Sequence, residues 1–263
     1  MPAATWQRFT PAQRFARFAV YLVIVAAIVQ SVRTVEVIPE FLYDAPEQVQ
    51  DLFARMWPVD WAHYPDGVHE ALMETLHIAT LGTILSIALA LPIGVLAAGN
   101  LVPYAPVNYL AKLVLVASRS VNSLVWALLF VAIFGPGALA GMLAIAFRSI
   151  GFVGKLFGEA LEEANRGTIE ALQAAGAPWL SIFTKGYWPQ VAPSFWSIAL
   201  FRWDINVRES AVLGLVGAGG IGVALNTALD YLQWTRVAMV LVAIFAVVIA
   251  AEIVTTQVRK RIL

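Results

Sequence analysis

The residues of this chain with the most chemical potential are charged side chains set among apolar ones: Arg119, Arg202, Asp204, Arg208 and Glu209. An isolated charge inside a bilayer costs several kcal/mol, so such residues face a cavity or a partner. They fit structural pairing, Asp204 with Arg202 or Arg208, or snorkelling of the arginines to an interface. The run Gly217-Ala-Gly219-Gly220-Ile-Gly222 fits G-x-G-x-x-G, the dinucleotide fingerprint. That fingerprint needs a preceding strand, a following helix and an acid about 20 residues on. Here another apolar stretch follows and the nearby acid is Asp230, so the glycines are expected to pack helices closely or to form a gate beside a cavity. No G-x-x-x-x-G-K-[ST] occurs, so the chain carries no phosphate-binding P-loop of its own. Three histidines (His63, His69, His77) are too few for most metal sites, and there is no cysteine to act as ligand or nucleophile.

The elements that must position these residues are set by composition. Of 263 residues 60% are hydrophobic and 13% charged, and mean hydropathy is +0.76. A soluble domain has about a quarter of its residues charged, so the composition indicates a polytopic membrane protein and excludes an ordinary soluble enzyme. Seventeen Lys+Arg balance seventeen Asp+Glu, which argues against a nucleic-acid partner. Six spans of about 20 residues are predicted: Phe15–Val35, Leu76–Ala98, Leu113–Phe134, Gly137–Phe157, Ala192–Leu213 and Val237–Gln257. The first is read as a retained signal anchor, because no small-residue cleavage site follows its apolar run. In the second, Thr80, Thr83 and Ser86 are expected to bond back to their own helix or lodge between helices, and Pro92 to kink the span.

Basic flanks orient the spans. Arg8, Arg14 and Arg17 precede the first, and Arg259, Lys260 and Arg261 follow the last. The stretch between Arg33 and Glu70 holds eight acids (Glu36, Glu40, Asp44, Glu47, Asp51, Asp60, Asp66, Glu70) against two arginines. Both termini are therefore expected in the cytoplasm and that loop outside, with Tyr43, Trp57, Trp61 and Tyr64 suited to a membrane interface. The segment 158–188 then falls in the cytoplasm. It is rich in Glu, Ala, Leu and Gln, which favour helix, and meets a stop at Gly176-Ala177-Pro178.

This segment carries a specific spacing: Glu170-Ala171-Leu172, three residues, Gly176-Ala177, and Pro189 thirteen residues after the glycine. It resembles the signature of ABC-importer permeases, with Leu172, Gly186 and Trp188 standing where the family has Ala, Ile and Leu. The blocks Arg119–Ala127, Gly151–Glu159 and Phe201–Gly222 extend the resemblance, which is nearest to permeases of phosphonate ABC importers. Arg202, Asn206, Arg208 and Gly217 to Gly222 match that group, whereas Asn122-Ser123 departs where it often has an acid.

The resemblance implies an all-α type I importer permease fold like that of methionine importers. The layout is a cytoplasmic terminus 1–14, a span 15–35, an external loop 36–75, a permease core 76–257 and a cytoplasmic tail 258–263. It implies a coupling helix around Glu170, Ala171, Leu172, Gly176, Ala177 and Pro189, and a pathway or gate involving Arg119, Asn122, Arg202, Asn206, Arg208, Glu209, Gly217, Gly219, Gly220 and Gly222. Arg202 or Arg208 would make one weak contact to a phosphonate anion, whose oxygens suit a guanidinium. The implied partners are a second permease copy (identical or related), two cytoplasmic ATPase subunits that bind the ATP and Mg, an external solute-binding protein and the lipid bilayer of a prokaryotic cytoplasmic membrane. Phosphate, phosphite or another small solute is the alternative cargo. An ion-driven secondary transporter is the alternative mechanism, disfavoured because Glu252 is the one acid well inside a late span and lies near its end.

Overall fold

The computed structural model describes residues 9–35 and 38–262, which contain helices and no strand. Of the charges used for orientation, Arg8 and Glu36 lie outside the described residues. The chain divides into two compact units, 1–54 and 55–263. The first contains α1 (Pro11–Thr34). Thr10 and Gln13 cap it reciprocally, with Gln13 N donating to the Thr10 hydroxyl and Thr10 N to Gln13 Oε1 at 3.2 Å. α1 has no buried residue, and its 24 residues at 1.5 Å each give about 36 Å, enough to cross a bilayer. The predicted external loop is not a loop throughout, since it forms the helix α2 (Pro39–Met56).

The second unit holds α3 (His69–Ala97), α4 (Ala105–Ser120), α5 (Ser123–Phe134), α6 (Ala138–Glu162), α7 (Arg166–Ala174), α8 (Trp179–Ile182), α9 (Trp188–Leu213), α10 (Ile221–Asp230) and α11 (Trp234–Ile262). Four helices of the described chain are long and apolar enough to cross a membrane, or six spans if each of two bent pairs counts as one. α3 starts at His69, ahead of the predicted Leu76, and Pro92 lies inside it.

α6 forms the centre. Its inner face is small: Ala140, Gly141, Ala144, Ser149, Gly151, Gly154 and Gly158 are all buried. A Cβ on Gly94 of α3 would stand 2.9 Å from the Gly154 carbonyl oxygen, and one on Gly151 would strike the Leu115 carbonyl of α4 and approach Arg119 N to 3.0 Å. Small residues let helix backbones touch where no hydrophobic effect drives association.

The stretch Leu113–Phe134, expected as one span, is broken. α4 and α5 meet at 91°, because Val121 and Asn122 are extended and the Asn122 side chain caps α5 by accepting from Leu124 N at 3.0 Å. Ser118 braces the corner: its hydroxyl donates to the Phe147 carbonyl and accepts from Gly151 N, while its own carbonyl accepts from Trp126 Nε1 at 3.3 Å. The mostly polar run Ser118-Arg119-Ser120-Val121-Asn122-Ser123 marks the break, but the apolar stretches on either side still combine into one span-length segment.

Replacing Gly151 tests the seam. Backbone atoms of α4 cannot yield as a flexible side chain would, so Gly151→Leu should cost roughly 1–3 kcal/mol. The purified protein should unfold at a lower temperature in detergent, and an unchanged midpoint would contradict the contact between α4 and α6.

Candidate functional site

α7 is a short amphipathic helix with an anchored face and an open face. Asn165 caps its start by accepting from Gly167 N at 2.9 Å. Ile169 is buried, Leu172 half-buried, and both lie against Gly186. Glu170, Ala171 and Gly176 are exposed, and Ala177 is half-buried. The end of the helix explains its glycine. Gly176 has φ +71°, Ala177 N donates to the Leu172 carbonyl and Gly176 N to the Gln173 carbonyl, which is the Schellman closure that favours glycine at this place. Pro189 is not part of α7; it is the second residue of α9, which follows directly on the helical segment Phe183–Tyr187.

A buried polar chain links α3, α6 and α9. Asn206 Nδ2 donates to the Thr83 hydroxyl at 2.8 Å, and the Ser149 hydroxyl donates to Asn206 Oδ1 at 3.1 Å. Arg202, only 4% exposed, donates through Nε to the Ser149 hydroxyl at 2.8 Å and through Nη2 to Glu209 at 3.4 Å. Glu209 also pairs with Arg148 of α6. Spacings of four and three residues set Arg202, Asn206 and Glu209 on one face of α9.

Arg208 belongs to a different face. It donates to Asp204 at 2.7 Å and to Glu252 of α11 at 3.5 Å. Asp204 therefore pairs with Arg208, and Arg202 pairs elsewhere. Thr83 bonds back to the Ala79 carbonyl, and Thr80 accepts from Trp203 Nε1 at 3.0 Å.

The glycine run turns between α9 and α10 and is held by its neighbours. Gly217 N donates to the Gly214 carbonyl and Ala218 N to the Leu213 carbonyl, the same closure as at the end of α7. Gly137 N donates to the Gly217 carbonyl at 2.9 Å, Gly220 N to Glu74 at 3.1 Å, and Ile221 N to the Thr75 hydroxyl at 2.7 Å. A Cβ on Gly219 would meet Ala138 N at 2.8 Å, and one on Gly220 the Thr75 hydroxyl at 2.6 Å. Gly222 packs against the Ala211 carbonyl. With no strand before it, this run is not a dinucleotide loop.

The structure thus unites Arg202, Asn206 and Glu209, collects the glycines at one end of α9, and separates Arg208 from both. Asn122 serves as the cap of α5. Two residues that sequence reasoning passed over join the set. Arg148 carries the signal used for the other charges, since it stands within the predicted span Gly137–Phe157. Glu74, just outside the predicted second span, carries no such signal; only the fold brings it to Gly220.

Residues 90–263 match the family model described as binding-protein-dependent transport system inner membrane component. The chain is 37% identical over 212 residues to the phosphite transport system permease protein PtxC of Stutzerimonas stutzeri, covering 81% of this chain and 77% of that protein. It is 35% identical over 237 residues to the phosphate-import permease protein PhnE of Mycolicibacterium smegmatis, covering 90% of this chain but only 44% of that longer protein. In fold it is similar to a chain of the MetNI methionine ABC transporter in an inward-facing conformation, with a TM-score of 0.65 at 22% identity, covering 74% of this chain and 96% of that one. Family, relatives and helices agree on a multi-pass transport subunit rather than an enzyme. The chain belongs to the inner membrane components of binding-protein-dependent transport systems and is a permease subunit of an ABC importer.

Proposed function

We propose that this permease forms the membrane path for a small phosphorus oxyanion, phosphonate or its close relatives phosphite and phosphate, and that α7 couples the path to a cytoplasmic ATPase. The cargo reading is supported by relatives whose names place them in phosphite, phosphate and phosphonate systems. The coupling reading rests on one observation: α7 is fixed through Ile169 and Leu172 and leaves Glu170, Ala171 and Gly176 exposed. A short helix with a rigid base and a small-residue outer face suits a cleft in another protein.

In this reading two ATPase subunits bind ATP and Mg and grip one α7 each, and this chain holds no cofactor. A second permease completes the path, either identical or a related chain; the paired Escherichia coli relatives PhnE1 and PhnE2 support the second arrangement. A solute-binding protein docks outside, where the acids between Glu40 and Glu70 lie, and both termini face the cytoplasm. The path switches between two packings whose balance is set by ligands bound to the partner chains. The buried chain from Thr83 to Arg148 and the pinned turn at Gly217–Gly222 are the parts that would line or gate it.

Two experiments test this. Glu170→Arg and Gly176→Trp should each reduce co-purification of the ATPase subunit and ATP hydrolysis stimulated by the binding protein about tenfold, with the permease still in the membrane. Undiminished association would refute α7 as the docking element. Uptake of labelled phosphite by the assembled transporter should be competed by methylphosphonate or phosphate and not by methionine. Competition by methionine alone would refute the cargo.

A further inference from the structure

We propose that Arg119, Arg148 and Arg202 form a binding pocket for a small phosphorus oxyanion inside the membrane domain, a stopping point on the path; the inference rests on the cargo reading above. The three arginines come from α4, α6 and α9 and line one cavity of about 320 Å³, completed by Val116, Ser120 and Phe152. Arg148 is the eleventh of the 25 residues of α6 and Arg202 the fifteenth of the 26 of α9. Both stand near the middle of their spans, far from the ends to which arginines snorkel.

The charge balance points to an anion. Arg148 and Arg202 share the single carboxylate of Glu209, and Arg119 has no carboxylate within 4.0 Å among the described residues. Around the cavity, three positive charges meet one negative charge, an excess of two. Arg119 is exposed, but Arg148 is half-buried and Arg202 buried, and there the excess is costly until an anion offsets it. The guanidinium fork matches two oxygens on one phosphorus. The Phe152 ring lies 5.5 Å from the Arg202 guanidinium and, with Val116, gives an apolar wall to a hydrogen or carbon substituent on the phosphorus.

The packing described above builds this pocket. Gly151 brings the last turn of α4 against α6, which delivers Arg119 beside Arg148, and the 91° corner after Ser120 turns the chain away so that the cavity stays open. Glu209 lies behind two of the arginines and moderates their charge, so that an anion can leave again. Arg208, paired with Asp204 and Glu252, has no place in the pocket, while Arg148 does.

Arg119 is the residue to change, because it is exposed and carries no ion pair, whereas Arg202 is structural as well. The assembled transporter, with its ATPase and binding protein, is placed in liposomes, and two quantities are read: uptake of labelled phosphite, and ATP hydrolysis stimulated by the loaded binding protein. Loss of one charge-assisted contact in Arg119→Gln should lower uptake at least about tenfold while ATP hydrolysis stays within about twofold, and Arg119→Lys should restore part of the uptake. Undiminished uptake in Arg119→Gln overturns the pocket, as expected if the cavity holds a lipid phosphate instead, and leaves the importer reading standing. Loss of uptake and ATP hydrolysis together overturns it too, by marking Arg119 as structural. If the unmodified transporter hydrolyses ATP but takes up neither phosphite, phosphate nor methylphosphonate, the cargo reading fails and the pocket fails with it.

Discussion

Helices surrounded by lipid gain nothing by exchanging one apolar neighbour for another, so they associate by approaching closely and by pairing polar groups. In this permease α6 supplies both. Its glycines and alanines admit α3 and α4 to backbone contact, and between those contacts stand Ser149 and Arg148, which reach α9. Without that seam Arg119 would not lie beside Arg148, Asn206 would lose Ser149, and the corner after α4 would lose its bonds to Phe147 and Gly151.

Two charge systems on α9 then do different work. On one face Asp204, Arg208 and Glu252 tie α9 to α11 and carry one net negative charge among themselves. On the other, Arg202 and Glu209 join Arg148 in a group that is positive overall. Their positions in the sequence interleave, and only the helical period sorts them. Asp204 keeps one oxygen, Oδ1, buried without a hydrogen bond, so this face is incompletely satisfied.

Much of this was legible in the residues. Glu170, Ala171 and Gly176 stand at a spacing that a capped helix imposes, and Gly176 is demanded by a left-handed turn. The run of apolar segments and the count of six, taking bent pairs as single spans, follow from composition. The break between α4 and α5 is marked by the mostly polar run Ser118–Ser123, but the apolar stretches on both sides combine into one span-length segment, and the angle of the corner comes from the Asn122 cap and the bracing of Ser118. Asn122 before Ser123 and an apolar run is a cap signal, and its side chain caps α5. Arg202 and Arg208 are close in sequence, but Arg208 turns to Glu252 of α11 and Arg202 to Ser149 of α6. Arg148 is legible as a charge inside an apolar stretch, whereas its neighbour Arg119 is brought to it by Gly151, which only the fold reveals.

α9 is also a lever. It runs as one helix, with Pro193 inside its first turns, from Trp188, next to the anchor of α7, to Leu213, beyond which the turn Gly217–Ile221 is tied to Glu74, Thr75 and Gly137. At 1.5 Å per residue its 26 residues measure about 39 Å. With the far end held, a sideways shift at Trp188 moves Arg202 by a little under half as much. A few ångströms at the cytoplasmic end therefore become one or two at the guanidinium, enough to break or make a hydrogen bond without unpacking the bundle.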